Sequence, residues 1–167
     1  MNILTHPLNT WPRSEASLLR RIWTGEASAT QTLLRVTLAL VLLPHGAQHL
    51  LGAFGGYGFS ATVAWMSGSL GFPVPLAAGG ILLEFFGPLL LLVGIGSRLV
   101  ALALAVFIAV AGSTHVANGF FMNWLGNLPA GAEGFEYHIL VVAVAVAIAA
   151  NGGGAWAVDQ LIARQLR

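Results

Sequence analysis

The chain has 167 residues, of which 57% are apolar and 8% charged, against about 25% charge in an ordinary soluble domain. All seven basic residues are arginine, six residues are acidic, and the net charge is +1 with a mean hydropathy of +0.82. That balance excludes a water-soluble domain with a normal surface, a disordered chain and a nucleic-acid binder with a basic face. The absence of cysteine excludes a disulfide framework, a thiolate nucleophile and a Cys-based metal site. An integral membrane protein built as one compact unit is the class that remains.

Residues 1–32 are polar and carry Arg13, Arg20 and Arg21. Pro7 and Pro12 disfavour a helix at the start, whereas Leu18, Leu19, Ile22 and Trp23 have the spacing of a short interfacial helix within Ser14–Trp23. No small-x-small cleavage site follows the first apolar run, so the segment is expected to be retained. That run, Leu33–Leu51, is long enough to span, because about 20 helical residues cross the roughly 30 Å hydrocarbon core. Pro44 lies inside it and predicts a kink.

Gly52, Gly55, Gly56 and Gly58 then form a flexible turn, and Phe59–Leu70 is apolar but too short to cross. Pro73–Ile95 is the second span, with Pro73 and Pro75 suited to its first turn and Pro88 interrupting it later. Ser97–Val116 is the third, where Ala101, Ala105, Ala109 and Ser113 predict a small-residue ridge for close packing. Residues 117–134 are a glycine-, asparagine- and aromatic-rich connection whose Phe120, Phe121 and Trp124 suit a headgroup interface. Glu136–Ala150 begins the fourth span, which closes near Gly152–Gly154.

The expected fold is therefore all-α: a four-transmembrane-helix bundle with a short re-entrant or interfacial helix between the first two spans. Residues 1–32 are a cytoplasmic N-terminal segment, 33–154 the four-helix membrane domain and 155–167 a cytoplasmic tail. Four crossings put all seven arginines on one side, and the loops 52–72 and 117–134 contain none. The positive-inside rule then places both termini in the cytoplasm. Arg35 is expected to snorkel to the headgroups. Asp159 is expected outside the membrane, capping or pairing with Arg164.

The side chains that are costly in hydrocarbon carry the functional signal. They are His45, Gln48 and His49 near the end of the first span, Glu84 in the second, His115 in the third, and Glu136 and His138 at the start of the fourth. In the expected topology His45, His49, His115, His138 and Glu136 fall in the outer half, with Glu84 deeper. Glu84, His49, His115 and His138 are the candidate catalytic groups, converging on one pocket. An ionised carboxylate in hydrocarbon costs several kcal/mol, so Glu84 is expected to be neutral or paired, as a proton carrier or as a bond to a carbonyl freed by a proline. Glu136 has a simpler reading, as an acid suited to a helix first turn.

His45, Gln48, Phe85 and Tyr57 are the candidate cofactor-binding residues, with Phe54 and Phe86 as further slot-lining aromatics. A lipid quinone needs such an apolar slot with a polar partner for each carbonyl and a proton donor. Two other cofactors stay open at this point. His45, His49, His115 and His138 offer ligands for a transition metal, and His49 with His115, or His45 with His138, offer axial ligands for haem. The same polar cluster could simply tie helices together. No phosphate-binding loop, dinucleotide fingerprint, HExxH or nucleophile elbow is present.

Three stretches, LALVLLPHGAQHLLGAFGGYGF, LLEFFGPLLLLVGIGSRLVALALA and EGFEYHILVVAVAVAIAANGGGAWAVDQ, resemble the DoxX family of small four-helix bacterial membrane proteins over about residues 30–160. The specific parts are Gly46 and His49 before the glycine turn, Glu84 with Gly87, the Gly94–Arg98 hinge, and the last span leading through three glycines to Asp159. The resemblance implies an inner-membrane location. It also implies a relation to the membrane subunit of a thiosulfate:quinone oxidoreductase, and so to quinone chemistry. The leading expectation is a quinone-interacting redox protein or subunit with an outer-half His/Glu pocket. Its partners would be the lipid bilayer, a lipid quinone, and a redox partner protein or a second copy of the chain, with no nucleic acid. A non-enzymatic membrane scaffold or assembly factor, and a metal-binding or small-solute transport protein, are the alternatives.

Overall fold

The computed structural model describes residues 21–129 and 131–165. Among them the regular structure is entirely helical: α1 Ala29–Leu51, α2 Gly58–Gly68, α3 Val74–Val93, α4 Ser97–Thr114, α5 Glu136–Asn151 and α6 Val158–Gln165. Short 3-10 turns at Ala53–Gly55 and Val116–Asn118 follow α1 and α4. The expected interfacial helix at 14–23 lies outside the described residues except for Arg21–Trp23, which are helical.

The apolar runs become the long helices because a helix satisfies every backbone polar group internally, which hydrocarbon demands. Two of them, α3 with 20 residues and α4 with 18, are long and apolar enough to cross a membrane on their own. The chain α1 plus the segment Ala53–Gly68 passes the same test as a pair bent by 93°. Helix α5, with 16 residues, is apolar but shorter; at 1.5 Å per residue it is roughly 24 Å long.

The 93° bend comes at Gly52. Helix α1 runs through Pro44, and Gly52 then takes φ 72°, a left-handed conformation that costs a glycine nothing, with its amide on the carbonyls of Ala47 and Gln48. Helix α3 likewise continues through Pro88 instead of being interrupted. A proline still removes one donor, which frees the Glu84 carbonyl four residues back. That carbonyl faces Gly46: a Cβ placed on Gly46 would run into the Glu84 backbone and lie 2.6 Å from the Phe85 Cα. Helices α1 and α3 are thus in backbone contact, and α4 and α5 form the second tight pair.

The core lies where the two pairs meet, with Leu38 and Leu42 of α1, Leu91 of α3, Leu104 and Ile108 of α4, and Ile148 of α5 buried together. The small-residue ridge of α4 is partly shifted: Ala101 and Ala105 are buried, but Ala109 and Ser113 are exposed, and Gly112 completes the packed face against His138.

The arginine-bearing end of the bundle is closed by polar contacts. Arg35 does not snorkel; it is 2% exposed and donates to the carbonyls of Gly153, Leu91 and Leu92. Arg98 donates to the carbonyls of Thr24, Ala149 and Ala150. Asp159 is also buried, and its carboxylate accepts from the amides of Gly96 and Ser97 at 2.7 and 2.8 Å. It caps the N-terminus of α4, where a negative charge meets the positive end of the helix dipole. Of the two expected roles, capping or pairing with Arg164, the carboxylate takes the cap. Its own amide donates to Gly94, docking α6 on the α3–α4 turn.

Candidate functional site

The opposite end of the bundle holds the histidines. Helix α1 ends there with His45, Gln48 and His49 a turn apart. Helix α3 brings Glu84 to the same level, because Gly46 lets the two backbones touch. His49 Nδ1 and Glu84 Oε2 are 2.6 Å apart, which requires one shared proton between them. Glu84 is 5% exposed, so the expected pairing of a buried carboxylate is met by an imidazole and not by a freed carbonyl.

Helices α4 and α5 contribute the other imidazoles. His115 and His138 stack with ring centroids 4.9 Å apart. The connection 116–134 fixes this arrangement. Its backbone returns to the start of α5 through Gly134 to Phe121, Phe135 to Gly119 and Glu136 to Phe120. His115 Nδ1 lies 2.9 Å from the Glu133 carbonyl and must donate to it, since a carbonyl only accepts. Glu136 accepts from Trp124 Nε1 at 2.5 Å, so it anchors the loop as well as opening α5. His45 faces the Tyr137 ring at 6.0 Å.

These groups surround one cavity of about 1020 Å³, walled by α1, α2, α3, α4, the loop 116–134 and the start of α5. The volume stands at the top of the roughly 300–1,000 Å³ usual for small-molecule sites. His45, Gln48, His49, Glu84, His115 and His138 all line it. Phe85 and Tyr57 do not, and neither do Phe54 and Phe86. Tyr57 is 85% exposed on the turn before α2. Gln48 has a second task, donating to the Phe54 carbonyl at 3.3 Å across the turn.

Sequence reasoning missed several lining residues. The aromatic wall is Trp65, Phe72, Phe107 and Tyr137. Thr62 is the one buried residue of α2, 3% exposed, and its hydroxyl points to no partner. The Tyr137 hydroxyl and His138 Nδ1 are likewise buried without a hydrogen-bond partner among the described residues. Unpaired buried polar atoms are costly; these three belong to residues of the cavity wall, and Gln31 Oε1 and Ser97 Oγ near the arginine end are in the same state. The adjacency of Tyr137 to His138 was the signal available for Tyr137; nothing local distinguished Thr62.

No arginine lines the cavity, and the chain has no lysine. Among the described residues no three histidine, aspartate or glutamate side chains are placed to hold one metal ion. The four histidines therefore divide into an ion-pair partner, a stacked pair and an aromatic neighbour instead of closing on a single point.

An all-helical body with long apolar helices, an arginine-closed end and a cavity near the other end defines a polytopic membrane protein of the helical-bundle class. A family model, DoxX, matches residues 30–124, more than half of the chain, and the chain belongs to that family. The match covers α1 to α4 and the first part of the following loop, and ends before α5. No curated protein and no solved structure matches the chain.

Proposed function

We propose that this DoxX-family protein binds a lipid quinone in the cavity and serves as a quinone-interacting redox protein or subunit of the bacterial inner membrane. The observation that carries the reading is the pair of half-buried His49 and buried Glu84, 2.6 Å apart on the wall of a large, mostly apolar cavity. A quinone ring suits it. The head is neutral, matching a lining without arginine, and its two carbonyls need donors, for which the partly exposed Gln48 and His49 of the lining are available. The bound quinone would supply two-electron, two-proton chemistry.

The chain's own part is to hold the ring and to manage protons. The proton shared by His49 and Glu84 is held at the cavity wall, and His49, 38% exposed, is the member that can exchange it with water. Electrons would come from a redox partner protein, because the chain has no cysteine and no dinucleotide fingerprint. In this reading four helices cross the membrane, both termini are cytoplasmic, and the cavity lies in the outer half.

Titration of the purified protein with a short-tailed ubiquinone analogue tests the proposal. Saturable binding that weakens at least tenfold in both Glu84→Gln and His49→Ala is expected. Affinity unchanged in both variants would refute the assignment. Absence of any quinone binding, with partner capture intact after histidine substitution, would favour the scaffold reading.

A further inference from the structure

The cavity is not a closed chamber. Along α4 its lining runs through Leu99, Leu102, Val106, Val110 and Thr114 to His115. These positions recur at three- and four-residue intervals and so form one helix face. From Leu99 to Thr114 that face is roughly 22 Å long at 1.5 Å per residue. Helix α3 runs antiparallel, so its lining residues Leu76, Gly79, Gly80 and Leu83 stand across from the half of that face between Phe107 and Thr114. The α3–α4 pair packs less closely than the α1–α3 and α4–α5 pairs, and the cavity lining continues beside it onto the exposed face of α4. Leu76, Leu99, Leu102 and Val106 are each more than half exposed, which places them where lipid chains would lie.

Polarity along this cleft is segregated. Glu84, His49, Thr62, Tyr137, His115 and His138 cluster at one end, while the length of α4 down to Leu99 is apolar. Gly79 and Gly80 stand about one turn before Glu84 on α3, at the edge of the polar end. Gly80 is buried under the Phe107 ring, which a Cβ at that position would strike. Gly79, one residue away, is exposed, lines the cavity, and has no atom within 4 Å of where a Cβ would stand.

We infer that the α3–α4 cleft is a lateral portal through which the isoprenoid tail of a quinone reaches the bilayer while its ring occupies the polar end. The inference rests on the quinone reading above and adds the route and the requirement for a tail. The occupant is a tailed quinone and not a phospholipid, because the polar end offers no arginine or lysine to a phosphate.

The test compares a tail-less dimethoxy-methyl-benzoquinone with its decyl-tailed counterpart on wild-type protein and on Gly79→Leu. The substitution adds a side chain into open space and improves helix propensity, so the variant is expected to fold. A thermal-unfolding midpoint at or above the wild-type value checks that point. Wild-type protein should bind the decyl form at least tenfold more tightly than the bare ring. Gly79→Leu should lose most of that preference while keeping the affinity for the bare ring.

Equal affinity for the two probes in wild-type, or a preference untouched by Gly79→Leu, overturns the portal and leaves the quinone site standing. If wild-type protein binds neither probe, the quinone reading itself fails. If 1-palmitoyl-2-oleoyl phosphatidylglycerol competes with the decyl probe as strongly as unlabelled tailed quinone does, the cleft is a phospholipid site and the assignment of its occupant is overturned.

Discussion

Arg35 shows how much a single residue can differ from its sequence-level reading. An arginine six residues into a helix flanked by polar chain suggests a snorkelling side chain, yet the guanidinium is buried and serves three carbonyls on two other segments. What the sequence lacked was the position of Gly153, 118 residues away, whose carbonyl completes the cage. The same holds for Asp159, whose partners are amides 62 and 63 residues distant. Arg35→Ala should cost on the order of 3 kcal/mol, because it removes a charged donor from three carbonyls in a dry site. Arg35→Lys should recover only part of the loss, since an ammonium lacks the planar fork. Thermal unfolding in detergent checks both, with wild-type stability in Arg35→Ala as the contrary outcome. The histidines and Glu84 were legible for the opposite reason: a titratable group in an apolar span has few tolerable surroundings, so it announces a polar site wherever it falls.

Helix periodicity accounts for the elements that were read well and for two residues that were not. The long helices lie within a few residues of the apolar runs, and the short α2 falls where the glycine turn and the brief apolar stretch placed a non-spanning helix. Phe85 was assigned to the slot together with its neighbour Glu84, but consecutive residues on a helix point about 100° apart. With Glu84 facing His49 and the cavity, Phe85 is carried off the lining. Thr62 and Trp65 were not singled out because α2 has no polar face to announce its orientation; only its packing on α1 and α3 decides it.

Helices α1 and α3 meet backbone to backbone at Gly46, and this contact sets the height at which His49 meets Glu84. Gly46→Val should push α1 from α3, lower stability by about 1–3 kcal/mol through overpacking, and weaken quinone binding as the ion pair separates. Gly79→Leu, on the opposite face of α3 where a side chain has room, is the matched control for stability. Equal unfolding midpoints for Gly46→Val and wild-type would show that the two backbones are not in contact.

At the scale of the molecule, two ends of different chemistry are separated by an apolar middle. Among the described residues Arg35 and Arg98 gather at one end, with Asp159, and His49, Glu84, His115 and His138 at the other. This polarity was readable from arginine placement alone, because the positive-inside rule depends on which loops lack basic residues and not on packing. The polar end of the cavity was readable from its histidines and Glu84, but its walls were not, because they come from five helices and a loop. The absence of cysteine makes orientation directly measurable. A single cysteine at Trp124 should react with a membrane-impermeant maleimide on intact spheroplasts, and one at Gln160 only after permeabilisation. The reverse pattern would invert the topology and place the cavity on the cytoplasmic side.

The most direct measurement of the quinone site is photo-crosslinking with an azido-quinone in native membranes, followed by peptide mapping. Label is expected on the peptides carrying Thr62, His49 and Tyr137, and it should be displaced by excess decyl-tailed quinone and reduced in Glu84→Gln. Label confined to the exposed aromatic turns around Tyr57 and Phe121, or insensitive to both the competitor and the Glu84 substitution, would contradict a quinone held at the His49–Glu84 end of the cavity.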